Sequence, residues 1–156
     1  MALAIGAAAP DFKLFNSEKK EVSLADFKGH NLIIHFFPAA FTGVCTAQMC
    51  SNRDDLAYYN NLDAAVVGVS VDMLFSLAVF KAQNNINFDL LSDFNKEMIH
   101  AYDMVNGAFA FGYKDVAKRG VVVVDKEGIV RYQEITPTPG DQVNFAALKE
   151  ALEKLK

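Results

Sequence analysis

Three apolar runs constrain this chain more than anything else in it. Residues 31–37 (Asn-Leu-Ile-Ile-His-Phe-Phe), 64–71 (Ala-Ala-Val-Val-Gly-Val-Ser-Val) and 120–124 (Gly-Val-Val-Val-Val) are apolar at nearly every position. A strand exposed on one face alternates apolar with polar residues, whereas a strand apolar throughout needs cover on both faces. At this length the runs read as strands, and none is long enough to cross a membrane. They predict the centre of a sheet with helices on either side. Two segments supply helical spacing: 73–84, with Leu74, Leu77, Ala78 and Lys81 beside Ala82, and 142–155, with Phe145, Leu148, Leu152 and Leu155 on one face. Residues 129–134 alternate, and the turn Lys126-Glu127-Gly128 joins them to 120–124 as a hairpin. The order predicts an α/β layered fold whose mixed sheet is parallel in its centre and antiparallel at the hairpin.

The remaining segments fit around that frame. Residues 12–15 and 21–24 read as short strands, 24–29 as one helical turn stopped by Gly29, 88–91 as a strand and 96–102 as a short helix. Residues 106–115 have no clear period and read as a loop, and 136–140 (Thr-Pro-Thr-Pro-Gly) as a rigid one. A length of 156 residues suits a single domain over 1–156. The net charge of −4 offers no basic stripe for nucleic acid. The first ten residues lack the charged start and long apolar stretch of a signal peptide and read as part of the mature fold. The two cysteines argue against a disulfide scaffold and for reactive thiols in the cytoplasm. Their spacing gives neither Cys-x-x-Cys nor the second ligand pair of a zinc site, so no metal and no cofactor are expected.

The chemistry concentrates just after the first run. Pro38 ends the strand, Gly43 permits a tight turn, Thr42 can cap the next helix, and 44–60 reads as that helix. Cys45 therefore lies in the first turn of a helix that springs from a strand. Free backbone amides and the positive end of the helix dipole meet there, and both favour a thiolate. Cys45 is a candidate nucleophile. A small buried hydrophobe is the plain alternative.

The pattern Pro38-x-x-x-Thr42-x-x-Cys45 resembles the active-site loop of the peroxiredoxins. The likeness continues in Gly6 with residues 9–14 (Ala-Pro-Asp-Phe-Lys-Leu) and in Ala117-Lys118-Arg119 followed by 120–125. It implies a thioredoxin-like three-layer fold and a thiol-dependent peroxidase. Hydrogen peroxide and small organic hydroperoxides would be its substrates. Thioredoxin, glutaredoxin or a low-molecular-weight thiol would be its reductant.

In that light Cys45 is the peroxidatic residue. Ionising most of an ordinary thiol at neutral pH takes roughly 2.7 kcal/mol of extra stabilisation. A helix terminus supplies about 0.3–1 kcal/mol, or up to ~2 when partly buried. A cation is needed, and the resemblance assigns it to Arg119. Thr42 Oγ, the Val44 and Cys45 amides and Arg119 are the expected donors to the peroxide, with Pro38 shielding the sulfur. Gln48 stands where many family members carry glutamate and can still bond Arg119 or Arg53. Arg53 matches a second family arginine. His35 reads as a hydrogen-bonded core residue rather than a base.

Cys50, five positions on, resembles the resolving cysteine of the Q-type, or bacterioferritin-comigratory, branch. Residues five apart on an intact helix cannot form a disulfide, so resolution requires the first turns to unwind. Phe41-Thr42-Gly43-Val44-Cys45 also resembles the one-cysteine E-type branch, in which Cys50 would be a spectator. A thioredoxin-like disulfide reductase and a redox sensor or holdase are the other readings. Phe41, Phe109 and Phe111 could line a homodimer face or a peroxide pocket.

Overall fold

The computed structural model describes residues 3–156; Met1 and Ala2, part of the predicted mature start, lie outside them. The strands are β1 (Lys13–Asn16), β2 (Glu21–Ser23), β3 (Asn31–Phe36), β4 (Ala64–Ser70), β5 (Asp89–Ser92), β6 (Val105–Asn106), β7 (Val116–Ala117), β8 (Gly120–Val124) and β9 (Val130–Ile135). The helices are α1 (Gly43–Asp54), α2 (Leu56–Asn61), α3 (Leu74–Gln83), α4 (Glu97–Ala101) and α5 (Phe145–Glu153). Seven strands form one sheet in the order β2-β1-β5-β4-β3-β8-β9, while β6 and β7 pair separately.

The three apolar runs are adjacent at its centre. β3 and β4 pair in parallel, as do β4 and β5, and β8 joins β3 antiparallel with His35 opposite Val121. The hairpin β8–β9 extends the sheet on that side. Every residue of β3 and of β8 is buried, because both faces are covered. Ile33 and Phe37 pack with Cys45, Met49, Leu77, Phe80 and Leu148 from α1, α3 and α5. Ile34 and Phe36 pack with Met98, Ile99 and Tyr102 from around α4. Helices thus flank both faces of a mixed sheet, the layered arrangement the residue pattern predicts.

Two local expectations need correction. The helix predicted over 44–60 is two helices, broken at Asp55 (φ −102°, ψ 8°). Asp54 and Asp55 place negative charge at the negative end of α1, which disfavours its continuation, and Lys149 holds Asp55 at 2.8 Å. The segment 106–115, predicted as a loop, begins at the end of β6 and carries a 3-10 turn at Ala110–Gly112. A two-residue strand and an isolated turn lie below the length at which hydrophobic periodicity can be read.

Gly120 is where the site is held most tightly from behind. A Cβ built there lies 2.5 Å from the Glu134 carbonyl oxygen on β9 and 3.1 Å from Met104 Cε. The backbone oxygen cannot yield without breaking the hairpin. Gly120→Ala is therefore expected to destabilise the fold by about 1–3 kcal/mol, read as a lower urea midpoint at unchanged slope. An unchanged midpoint would show that β9 moves freely.

Candidate active site

Pro38 lies at the end of β3, and the chain then turns through residues 39–42 into α1. The turn is tied to the sheet by Asp72, just beyond β4. Asp72 Oδ2 accepts from the Ala40 amide at 2.8 Å and from Ser70 Oγ at 2.7 Å, and Ser92 Oγ donates to the Asp72 carbonyl at 2.6 Å. Asp72 was not among the residues singled out by sequence. The available signal was its place at the carboxyl end of a central parallel strand, where sites in α/β sheets gather. Phe41 in this turn has φ 72°, a left-handed conformation costly for a bulky residue. Its half-exposed ring packs edge-on against Phe80 at 5.4 Å.

Thr42 occupies the position before α1, but its hydroxyl does not cap the helix. It donates instead to the Ala39 carbonyl at 3.0 Å, while the Thr42 carbonyl accepts from Thr46 Oγ1 at 2.7 Å. The predicted cap is corrected accordingly. Local bonding within the turn competes with capping for a threonine hydroxyl. The first-turn amides of Val44 and Cys45 have no carbonyl one turn back to bond.

Cys45 Sγ is buried. Arg119, 74 positions away and only 3% exposed, donates to it from Nη1 at 3.2 Å. The guanidinium is fixed on both sides. Nη1 also donates to Gln48 Oε1 at 2.9 Å, while Nε and Nη2 donate to the Pro139 carbonyl at 3.0 and 2.8 Å. A charged fork beside a buried sulfur in the first turn of a helix is an arrangement that stabilises a sulfur anion. Pro139, like Asp72, was not picked out by sequence, since a backbone carbonyl carries no residue-type signal.

Gln48 is wholly buried and connects Arg119 to His35: its Nε2 lies 3.0 Å from His35 Nδ1 and 3.4 Å from the Phe36 carbonyl. The His35 ring stacks on Phe145 at 5.8 Å. Burial pushes its pKa down to about 3, and the Asn52 side chain offsets only part of that effect.

Arg53 does not join this group. Its Nη1 donates to the Asn84 carbonyl at 2.6 Å and its Nε to Asp54 at 2.9 Å, at the far end of α1. Cys50 lies at that end too, half-buried, with Sγ 3.9 Å from Asn84 Oδ1. Both thiols are free, and the intact α1 keeps them apart. Among the described residues there is no group of three or more His, Cys, Asp or Glu placed to hold a metal, and no helix long and apolar enough to cross a membrane.

The profile of the AhpC/TSA family matches residues 5–133. Alkyl hydroperoxide reductase E of Mycobacterium tuberculosis is 35% identical over 142 residues, covering 89% of either chain. Peroxiredoxin Bcp of Bacillus subtilis is 33% identical over 129 residues, covering 82% of either chain. In fold, a peroxiredoxin-like protein from Aquifex aeolicus superposes with a TM-score of 0.90 at 24% identity, over 100% of this chain and 90% of its own.

Proposed function

We propose a mechanism from one premise: the chain belongs to the AhpC/TSA family and is a peroxiredoxin, a thiol-dependent peroxidase. The observation that supports the mechanism best is the 3.2 Å contact from Arg119 Nη1 to Cys45 Sγ at the start of α1. The Cys45 thiolate attacks the distal oxygen of a hydroperoxide. A sulfur–oxygen bond forms as the O–O bond breaks. The sulfur is oxidised to a sulfenic acid, and the other oxygen leaves as water or an alcohol after taking a proton. Arg119 and the Val44 and Cys45 amides stabilise the charge that moves onto the leaving oxygen, and the Thr42 hydroxyl joins them by turning from the Ala39 carbonyl, to which it donates in the free site. Pro38 closes the wall beside the sulfur, and Gln48 holds Arg119. Arg53 takes no part, since its fork is engaged at the other end of the helix.

Cys50 then attacks the sulfenic sulfur, releases water and forms an intramolecular disulfide. α1 has to unwind for this, and the broken helix axis at Asp55 leaves it short. A thioredoxin-like dithiol, glutaredoxin or a small thiol returns the enzyme to its reduced form. Two free thiols suit a reducing compartment such as the cytoplasm. The exposed rings of Phe41 and Phe111 suit a homodimer face.

Mass spectrometry after one equivalent of hydrogen peroxide tests the scheme, with stopped-flow oxidation alongside. The expected product is the protein minus two hydrogens, formed at a rate far above that of free cysteine. A gain of one oxygen, with the same fast rate, would replace the two-cysteine scheme by the one-cysteine scheme in which an external thiol reduces Cys45. A rate no faster than free cysteine would overturn the peroxidase mechanism in favour of the redox-sensor, holdase or disulfide-reductase readings.

A further inference from the structure

The peroxidase chemistry leaves the fully buried imidazole of His35 without a task. It lies two residues from Ile33 and two from Phe37, on the same face of the strand, and so faces the layer that holds Cys45 and Met49. The hydrogen-bond directions along Arg119, Gln48 and His35 can be read from one end, with His35 Nε2 left without a hydrogen-bond partner among the described residues. A guanidinium only donates. The Gln48 atom 2.9 Å from Arg119 Nη1 is therefore the amide oxygen, and the nitrogen is turned toward His35 Nδ1 at 3.0 Å. An amide nitrogen also only donates, so Nδ1 carries no proton and the ring proton sits on Nε2. Burial keeps the ring neutral. The Phe36 carbonyl, at 3.4 Å, is a longer and weaker second acceptor for the same nitrogen.

We propose that His35 is a positioning residue: its unprotonated Nδ1 orients the Gln48 carboxamide, and the carboxamide holds the Arg119 guanidinium against Cys45 Sγ. The kinetic consequence rests on the proposed peroxidase mechanism. An amide needs such an orienting partner because its two ends differ. Turned over, Gln48 presents a donor to Nη1 and pushes the guanidinium off the sulfur. A carboxylate at 48 needs no such partner, because both of its oxygens accept.

That difference supplies the experiment. His35→Phe keeps a ring against Phe145 but removes the acceptor. The expected result is a roughly tenfold slower oxidation of Cys45 by hydrogen peroxide, the loss typical of one buried hydrogen bond. The pH midpoint of Cys45 alkylation by iodoacetamide should rise with it. In a Gln48→Glu background the same His35→Phe change should cost less than about twofold, since nothing is left to orient. His35→Leu carries the same comparison where the Phe variant does not fold. An unchanged rate and midpoint in the single variant would overturn the proposal. So would an equal loss in both backgrounds, which would make His35 a packing residue only. Alkylation requires no peroxidase activity, so a wild-type protein slow with peroxide would overturn the mechanism and leave this test readable.

Discussion

Arg119→Met is expected to slow the oxidation of Cys45 by hydrogen peroxide about 10²–10³-fold, the effect of removing one transition-state donor. The size follows from where the guanidinium sits. One nitrogen, Nη1, serves both the sulfur and Gln48, and the other two are held by the Pro139 carbonyl. The charge therefore needs no reorganisation as the O–O bond breaks. Arg119→Lys keeps the charge but has one ammonium where three nitrogens act, so it should recover only about a tenth of the lost rate. Cys45→Ser sets the floor at the uncatalysed rate. Competition kinetics against a peroxidase of known rate, with circular dichroism to confirm folding, measures all three. A folded Met variant within threefold of wild type would remove Arg119 from the chemistry.

The second large effect is on stability. In the folded chain burial holds the His35 pKa at about 3, against 6.5 for an ordinary imidazole. Below about pH 6.5 the unfolded chain binds a proton that the folded chain refuses. The protein therefore loses stability as pH falls from about 6.5 toward 3, at up to ~1.4 kcal/mol per pH unit. From pH 6.5 to 5.0 the urea-unfolding free energy should fall by roughly 1.6 kcal/mol, since the slope is only half its full value at pH 6.5. The carboxylates of Asp63 and Asp125 are held below their ordinary range by partners: His30 first for Asp63, and for Asp125, where burial is the largest effect and opposes, Arg131 with the Ile129 and Glu127 amides together. Their contribution is lost at lower pH, while burial raises the Asp93 carboxyl, so in that window the share of the imidazole is read as the difference between wild type and His35→Leu. His35→Leu should flatten the profile there. Equal slopes in the two proteins would mean that His35 is not the group protonated on unfolding.

Much of the site was legible because it depends on short stretches of chain. Pro38 to Cys45 is a strand end, a turn and a helix start, each written in residue types that act on their own backbone. The two misreadings in the same region have the same root. The Thr42 hydroxyl has two local acceptors to choose from, and sequence does not say that the Ala39 carbonyl wins. The end of α1 at Asp54 depends partly on Lys149, from the last helix, reaching Asp55. Gln48 had two candidate arginines, one five positions away and one 71 away. It bonds the distant one, because Arg53 leans toward Asn84 at the end of α3.

Residue pattern alone determined the layered sheet, the burial of its three central strands and the placing of Cys45 in the first turn of a helix. Those outcomes follow from apolar periodicity and backbone preference, which act over a few residues. Tertiary structure alone decided that a guanidinium from β8's leading edge meets the sulfur, that Asp72 and Pro139 brace the site, and that His35 stands behind Gln48. Their positions depend on strand order, and strand order sets which distant side chains come within hydrogen-bond range.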